Sequence, residues 1–467
     1  MFFTLKRMTM LIISIALFMD VIDSNVINTA VPAMAHTFSV NPIDIKVALI
    51  SYLLSLAVFI PMSGWTADKY GVKNIFIGAI ALFTITSFFC GYARTLPILV
   101  IARFIQGIGG AFMISLGRLV IARTFKRHEL VAAMNTVIIV VSVGVMVGPF
   151  VGGVIVDYLS WPWIFWVNLP IGVFLIILAA YKLKETTPKN PRPFDFLGFL
   201  LFGGSLSLLC YSLSEMSESH VDFDAVMMRF FTAFLMLIAY CFYALRKKFP
   251  VIKITLFRIR TFRVSVFGNL CARFGFGGIP FLLPLLQQVA LGFSPQLSGL
   301  LLMPIAFGIM FSKVMAIKIL RALGYKKYLI INTFFVGFSL LLFQLINAQT
   351  PIYTIACMTF IFGVFISAQY TAMNSLALAD VEDADLSAST SITSTTQILA
   401  QSLGVAVGAI FLRIYSFQLN KKLLLTPLVF HYTFLSLAVL TFLSSLMFLH
   451  LKTGDGKRML MKVESEG

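Results

Sequence analysis

The chain has 467 residues, of which 59% are hydrophobic and only 12% charged. Soluble globular chains carry about 25% charged residues, so an ordinary water-soluble domain is excluded and lipid is the main solvent. The net charge of +17 would suit a nucleic-acid binder, but such proteins gather basic residues into a patch on a polar domain. No stretch here is long or polar enough to build one, so no nucleic-acid partner is expected.

In a bilayer only helices and closed barrels satisfy every backbone group. Apolar runs of about 20 residues, rather than alternating segments of about ten, predict helices. The first run, 8–30, follows Lys6 and Arg7 as the core of a signal peptide would. It contains Asp20 and Asp23 and lacks a clean small-x-small cleavage site, so it reads as a retained first helix. Further runs at 46–66, 74–92, 95–116, 131–156 and 163–182 complete a first set of six. Two more lie at 196–215 and 225–245, and a last six at 264–290, 296–316, 328–347, 352–378, 387–412 and 431–451. The fold class is therefore all-α integral membrane, with fourteen spans. Segment 387–412 is the most polar; its Ser and Thr hydroxyls can bond their own helix, as suits a cavity-facing position. Cys90, Cys210, Cys241, Cys271 and Cys357 all fall in apolar runs without CxxC spacing, and read as small core residues.

Loop charge orients the helices. With the N-terminus inside, most of the 36 Lys and Arg are cytoplasmic. They include the groups Arg118-Arg123-Lys126-Arg127, Lys182-Lys184-Lys189-Arg192 and Arg246-Lys247-Lys248 through Arg263. Lys46, Arg94, Arg413, Lys421 and Lys422 are external. Two loops run against the rule: 379–386 is acidic yet inside, and 413–430 is basic yet outside. Both termini are expected in the cytoplasm and segment 216–224 outside.

Two internal echoes organise the chain. Ser142-Val-Gly144-Val-Met-Val-Gly148 recurs as Ser402-Leu-Gly404-Val-Ala-Val-Gly408, and the loop end Gly71-Val-Lys73 recurs as Gly324-Tyr-Lys326. Helices 1–6 then correspond to helices 9–14. The expected organisation is an N-terminal bundle, 1–182, linkers with two inserted helices, 183–263, and a C-terminal bundle with its tail, 264–467. Transporters built from such repeats bind substrate near the midplane between them.

Five stretches carry a family resemblance. Gly64-Trp-Thr-Ala-Asp68-Lys69-Tyr-Gly71-Val-Lys73 is similar to the loop signature of the major facilitator superfamily. Arg103-Phe-Ile-Gln106-Gly107-Ile-Gly109-Gly110-Ala111 resembles its helix-4 motif, and Gly144 through Gly148, Pro149, Gly152 and Gly153 resemble its antiporter motif. Ile22-Asp23-Ser-Asn-Val-Ile-Asn28 and Trp161-Pro-Trp163-Ile-Phe165-x-x-Asn168-Leu-Pro170 look like marks of the 14-helix drug:proton antiporter branch. The resemblance implies a major facilitator fold: two pseudo-symmetric six-helix bundles plus two inserted helices.

The residues support physical readings of their own. Gly144, Gly148 and Gly152 recur every four residues, a flat stripe for close helix contact, and Pro149 permits a bend. The stripe reads either as a gating interface or as ordinary helix packing. Asp68, with Lys69 and Lys73, reads as a charge latch at the cytoplasmic mouth or as a solvated loop.

Ionisable residues inside the membrane are costly and mark function. Asp23 lies seven residues before the end of helix 1, and Arg103 eight after the start of helix 4. At 1.5 Å per residue both sit roughly 10–12 Å deep, a match that permits a proton-coupled ion pair. A static structural pair is the alternative. Asp20, one turn away, is an addition to the family motif. Arg273 precedes the Gly-rich break Gly275-Phe-Gly277-Gly278-Ile-Pro280, where it could pair with Asp20 or meet an anionic substrate. Lys313 and Arg229, nearer helix ends, read as snorkelling side chains. Asn28, Gln106, Gln369, Asn374, Gln397 and Gln401 are expected to offer neutral hydrogen bonds to a substrate.

No GxxxxGK[ST] phosphate loop is present and no His-carboxylate cluster has metal-ligand spacing. The expectation is a monomeric transporter of the bacterial inner membrane, not an enzyme. It would use no cofactor and be driven by a proton gradient. Three functions compete: a proton-coupled exporter of drug-like or lipophilic small molecules, an exporter of an organic anion or metal-chelating metabolite, and a membrane sensor without transport.

Overall fold

The computed structural model describes residues 5–125, 127–185, 193–218, 221–382, 385–420, 423–457 and 459. Loop residues Lys126, Lys189, Arg192, Ser219, Lys421 and Lys422, and both chain ends, lie outside that set. Among the described residues, 14 helices are long and apolar enough to cross a membrane. In chain order they are α1 (Leu5–Phe38), α2 (Lys46–Tyr70), α3 (Val72–Gly91), α4 (Leu96–Thr124), α5 (Arg127–Tyr158) and α6 (Trp163–Lys182). Then come α7 (Phe196–Glu215), α8 (Phe223–Arg246), α9 (Arg260–Ala290), α10 and α11 (295–323 and 325–342), α12 (Ile352–Leu378), α13 (Leu386–Asn420) and α14 (Pro427–Phe448). Lipid-facing Phe231, Phe234 and Phe242 on α8 remain exposed, as expected of a helix whose surroundings are apolar.

Several helices outrun their apolar windows. α1 continues through Pro32 to Phe38 and so is 34 residues long. Proline is tolerated inside a membrane helix because neighbours re-satisfy the freed carbonyl, and hydropathy alone does not see that continuation. Hydropathy ends this helix too early, yet Asp23 and Arg103 still meet at one depth as an ion pair. α13 runs to Asn420, so Arg413 is a helix residue rather than part of an external loop. Its guanidinium donates to the Ser217 carbonyl at 2.9 Å. Lys46, also expected in an external loop, begins α2 and is fully buried.

The chain divides into two compact units, Met1–Phe196 with Ser294–Leu300, and Leu197–Phe293 with Leu301–Gly467. In the first, α1 packs along α5, α4 lies against both α2 and α3, and α6 touches α3 and α1. In the second, α9 packs on α14, α13 and α12. The two echoes in the sequence recur as matched conformations. Gly71 ends α2 at φ 89° and ψ 138°. Gly324 separates α10 from α11 at φ 71° and ψ 162°. Both positive values suit glycine alone, so the same sharp turn joins helices 2–3 and 10–11. Likewise, a Cβ at Gly148 of α5 would come 3.0 Å from the Asn25 side chain of α1, and one at its counterpart Gly408 of α13 would come 3.0 Å from the Leu282 side chain of α9. Gly404 of α13 sits against α9, 2.9 Å from Gly277 Cα on the same test.

Charged loops at one end of the second unit pair off. Lys253 Nζ meets both oxygens of Asp385 at 2.6 and 2.7 Å, and Thr261 donates to Asp380 at 2.9 Å. Asp380 and Asp385, from the acidic segment that ran against the charge rule, thus lie beside the basic segment following α8. Arg260 holds Asp455 through two bonds of 2.9 and 2.6 Å, placing the described C-terminal segment at the same end. Arg229 does not reach out to the interface as a snorkelling side chain; it pairs with Glu215 and joins α7 to α8.

Candidate functional site

Inside the first unit, four helices bring charge and amides to one point. Asp23 of α1 and Arg103 of α4 form an ion pair in which both side chains are at most 1% exposed. Around it the acceptors are shared closely. Arg103 Nη1 also donates to Gln106 Oε1 at 2.7 Å. Gln106 Nε2 returns to Asp23 Oδ1 at 3.0 Å and reaches Ser87 Oγ of α3 at 2.8 Å. Asn168 of α6 donates to the same Asp23 oxygen at 2.8 Å. A carboxylate without such donors would be prohibitively expensive in this setting.

The helix-4 glycines make this closeness possible. A Cβ at residue 107 would lie 2.7 Å from the Tyr52 carbonyl oxygen, and one at 109 would lie 2.8 Å from the Ala79 oxygen. α4 therefore approaches α2 and α3 at backbone distance, which brings the Arg103 guanidinium to within 4.0 Å of the Tyr52 ring centre. A cation over an aromatic face is stabilised by the ring quadrupole, by about 2 kcal/mol when desolvated. Tyr52 then donates its hydroxyl to Asp20 Oδ1 at 2.5 Å. Asn28 is also buried, and its amide donates to the Asn25 carbonyl at 3.3 Å on its own helix, apart from the charged cluster.

Asp20, Asp23, Arg103 and Gln106 thus come together as one network. Tyr52, Ser87 and Asn168 join it without having been singled out as site residues. Asn168 was visible within the Trp161–Pro170 motif. Tyr52 and Ser87 sit in apolar runs as a single aromatic and a single hydroxyl, and no local pattern marks them.

The second unit is built differently. Arg273, 6% exposed, donates through Nε to Asn269 Oδ1 at 2.7 Å and lies 4.0 Å over the Tyr370 ring centre. Its partners are an amide and a ring from its own unit, as Tyr52 is for Asp20 in the other. Gln369, expected at a cavity, is fully buried between α12 and α11, where it bonds Asn332 and Thr333, each at 2.8 Å. Both faces of its amide are used in packing. Asn374 and Gln397 are bonded to each other across α12 and α13. Gln401 stands where α13 meets the α9 break, its Cα 3.3 Å from a Cβ built at Gly277.

The glycine stripe also finds its partners. Gly144 faces Phe18 and Val21, Gly148 faces Asn25, and Gly152 faces Val26 and Thr29. All belong to α1, so the stripe is the packing surface of a helix pair within the unit. Gly153 and the Pro149 carbonyl instead adjoin Pro295 and Gly299, respectively, in the 294–300 segment of the same unit.

At the α2–α3 turn, Asp68 pairs with Arg123 of α4 at 3.1 Å rather than with either neighbouring lysine. Lys69 lies over the rings of Trp65 and Tyr70, and Lys73 Nζ donates to the Ala180 carbonyl at 2.6 Å. The Glu185 carboxylate crowds the bare α-carbon face of Gly71. Gly64 has open space around it. With side chains about a third or more exposed, the Asp68–Arg123 pair is worth at most about 1 kcal/mol.

A family model described as Major Facilitator Superfamily matches residues 13–405, and again 267–460. The chain belongs to the major facilitator superfamily. It is 35% identical over 443 residues to a protein of Pectobacterium carotovorum subsp. carotovorum (strain PC1) named "Putative multidrug resistance protein MdtD", covering 95% of each chain. A protein of the same name from Enterobacter sp. (strain 638) is 33% identical over 456 residues, covering 97% of each. Among solved structures, a D-xylose-proton symporter superposes with a TM-score of 0.68 at 14% identity, covering 96% of this chain and 98% of that one. The human organic anion transporter MFSD10 gives 0.62 at 14% identity, covering 95% and 99%. At that identity the structural likeness speaks for the fold. The chain is therefore a multi-pass membrane transporter of this superfamily, not an enzyme, with relatives named for multidrug resistance.

Proposed function

We propose that the chain is a proton-coupled efflux transporter of drug-like or lipophilic small molecules. It would work by alternating access in a bacterial inner membrane, with both termini cytoplasmic. The observation that carries the reading is the buried Asp23–Arg103 pair with its three amide and hydroxyl supports. A carboxylate that is simply structural in lipid is more economically replaced by apolar packing. One that must alternate between charged and neutral forms requires a site able to hold both. Gln106 and Asn168 provide that, because their amides still bond a neutral carboxyl after the guanidinium lets go.

Asp23 then carries the exchanged proton. Protonation cancels its attraction for Arg103, and a conformational equilibrium biased by that pair shifts. The driving force is the proton gradient alone, without a cofactor. The relatives' names favour drug-like substrates. Asn28 lines the same helix as Asp23 and would offer an amide to such a substrate.

The test is Asp23→Asn reconstituted in vesicles. The amide preserves shape but cannot change charge, so acid-driven efflux is abolished while substrate still binds. Full proton-coupled transport by this variant would overturn the assignment.

Export of an organic anion is the second reading, and Arg273 favours it. This buried cation is supported by an amide and a ring rather than a carboxylate, leaving its charge available to an anion. Loss of binding of anionic but not neutral compounds in Arg273→Gln would select it.

A further inference from the structure

Arg103 has five N–H donors, yet its bonds to Asp23 and Gln106 both leave from Nη1. Its Nε is buried and has no partner among the described residues. A buried donor without an acceptor is costly and points to a second arrangement of the same guanidinium. Asp20 is placed to take part in one. It lies one turn from Asp23 on α1, is 3% exposed, and accepts one hydrogen bond among the described residues, from the Tyr52 hydroxyl at 2.5 Å. Tyr52 links the two groups directly, since its ring carries the guanidinium at 4.0 Å while its hydroxyl holds the acid. Gly110 keeps the space open: a Cβ there would come 2.6 Å from Asp20 Oδ1 and 2.8 Å from the Tyr52 hydroxyl oxygen.

Charge counting gives this geometry its meaning. The cluster holds one guanidinium and two carboxyls. The other described titratable groups facing it, Tyr52 and Cys90, are neutral at physiological pH, and α3 and α6 also present Ser87, Asn168 and Phe165. An electroneutral cluster therefore holds one proton on its two acids. If Asp23 alone were the counter-ion, each protonation of Asp23 would leave a bare guanidinium in the membrane interior, which is strongly disfavoured.

We propose that Asp20 is the alternate counter-ion of Arg103. When Asp23 accepts a proton, Asp20 gives one up and its carboxylate takes over the guanidinium. One O–H bond forms at Asp23 and one breaks at Asp20, with water supplying the first proton and receiving the second. The cluster stays neutral throughout, and Tyr52 positions Asp20 for the exchange. Only the timing of this exchange rests on the proton-coupling reading of Asp23.

The experiment is a mutant cycle in the full-length protein, read by membrane yield and thermal melting in detergent and by pH-dependent transport in vesicles. Asp20→Asn and Asp23→Asn each leave one counter-ion and are expected to lower the melting temperature modestly. The double variant leaves none, so its loss exceeds the sum of the single shifts, or it disappears from the membrane. Adding Arg103→Gln to the double variant restores the folded protein. In Asp20→Asn proton-driven transport is reduced, because protonation of Asp23 then leaves the guanidinium without a counter-ion. Additive single losses, or a triple variant as defective as the double, would overturn the proposal. Unaltered proton-coupled flux in Asp23→Asn would instead overturn the proposed function and leave the counter-ion result standing.

Discussion

The two units answer the same problem, a buried arginine, in different ways. In the first, Arg103 is matched by a carboxylate and a shell of amides, with a second acid held next door through Tyr52. In the second, Arg273 rests on Tyr370 and Asn269, and among the described residues no acid pairs with it. The surrounding frames are alike: a glycine turn at Gly71 or Gly324, and a glycine-faced helix pair, α1/α5 or α9/α13. Even the glutamine-hydroxyl contact recurs on the corresponding helix pairs, Gln106 with Ser87 and Gln369 with Thr333, both at 2.8 Å. A repeated scaffold thus keeps its backbone contacts while its buried chemistry diverges. Packing glycines are fixed by helix spacing, whereas a buried charge is retained only where it has work to do.

That contrast can be broken at its charges. Arg103→Ala strands the Asp23 carboxylate and should cost about 3–5 kcal/mol, together with all proton-driven transport. Arg273→Ala strands no acid; it removes a cation–π contact worth about 2 kcal/mol and one hydrogen bond. Thermal melting of the two variants should separate them clearly, and equal losses would refute the asymmetry.

The shared scaffold can be tested next. At residue 152 a Cβ meets the α1 backbone, whereas at 148 it meets the Asn25 side chain, 3.0 Å away. Gly152→Leu should therefore be more damaging than Gly148→Leu. The latter should cost about 1–3 kcal/mol by overpacking, with the inserted protein unable to transport. Gly404→Leu should resemble Gly152→Leu, since it too meets backbone. Normal flux through Gly148→Leu would show that spacing between α1 and α5 is not functionally constrained.

The smallest effect lies at the end of the second unit. The bidentate Arg260 contact holds the Asp455 carboxyl below its ordinary range. A carboxyl held low in the folded state stabilises it at pH values above the ordinary carboxylate range. That contribution disappears as pH falls through the lowered value. Hydrogen exchange of the segment 450–457 should therefore be faster in Arg260→Gln than in the native protein at pH 7. The difference should vanish in strong acid, and one that persists there would mean the contact is not electrostatic.

Much of the architecture was written in local pattern. Apolar run length announced the fourteen helices, and the Gly71/Gly324 and Gly148/Gly408 echoes announced the repeat, because both depend on periodic or near-neighbour chemistry. Asp23 and Arg103 were also legible, since any charge in an apolar run is conspicuous. Several things were not. Helix ends such as Phe38 and Asn420 lie in sequence too polar for hydropathy to include.

Sequence by itself determined which residues could be charged in lipid, how many helices would carry them, and which glycines would permit close packing. Tertiary structure alone decided the partners. It turned Asp68 toward Arg123, placed Gln369 inside helix packing, set the glycine stripe against α1, and brought Tyr52, Ser87 and Asn168 to the buried charges. The physical reason is that burial makes each polar group seek a partner, while the partner available depends on which helices meet at that depth. No spacing along one helix encodes that meeting.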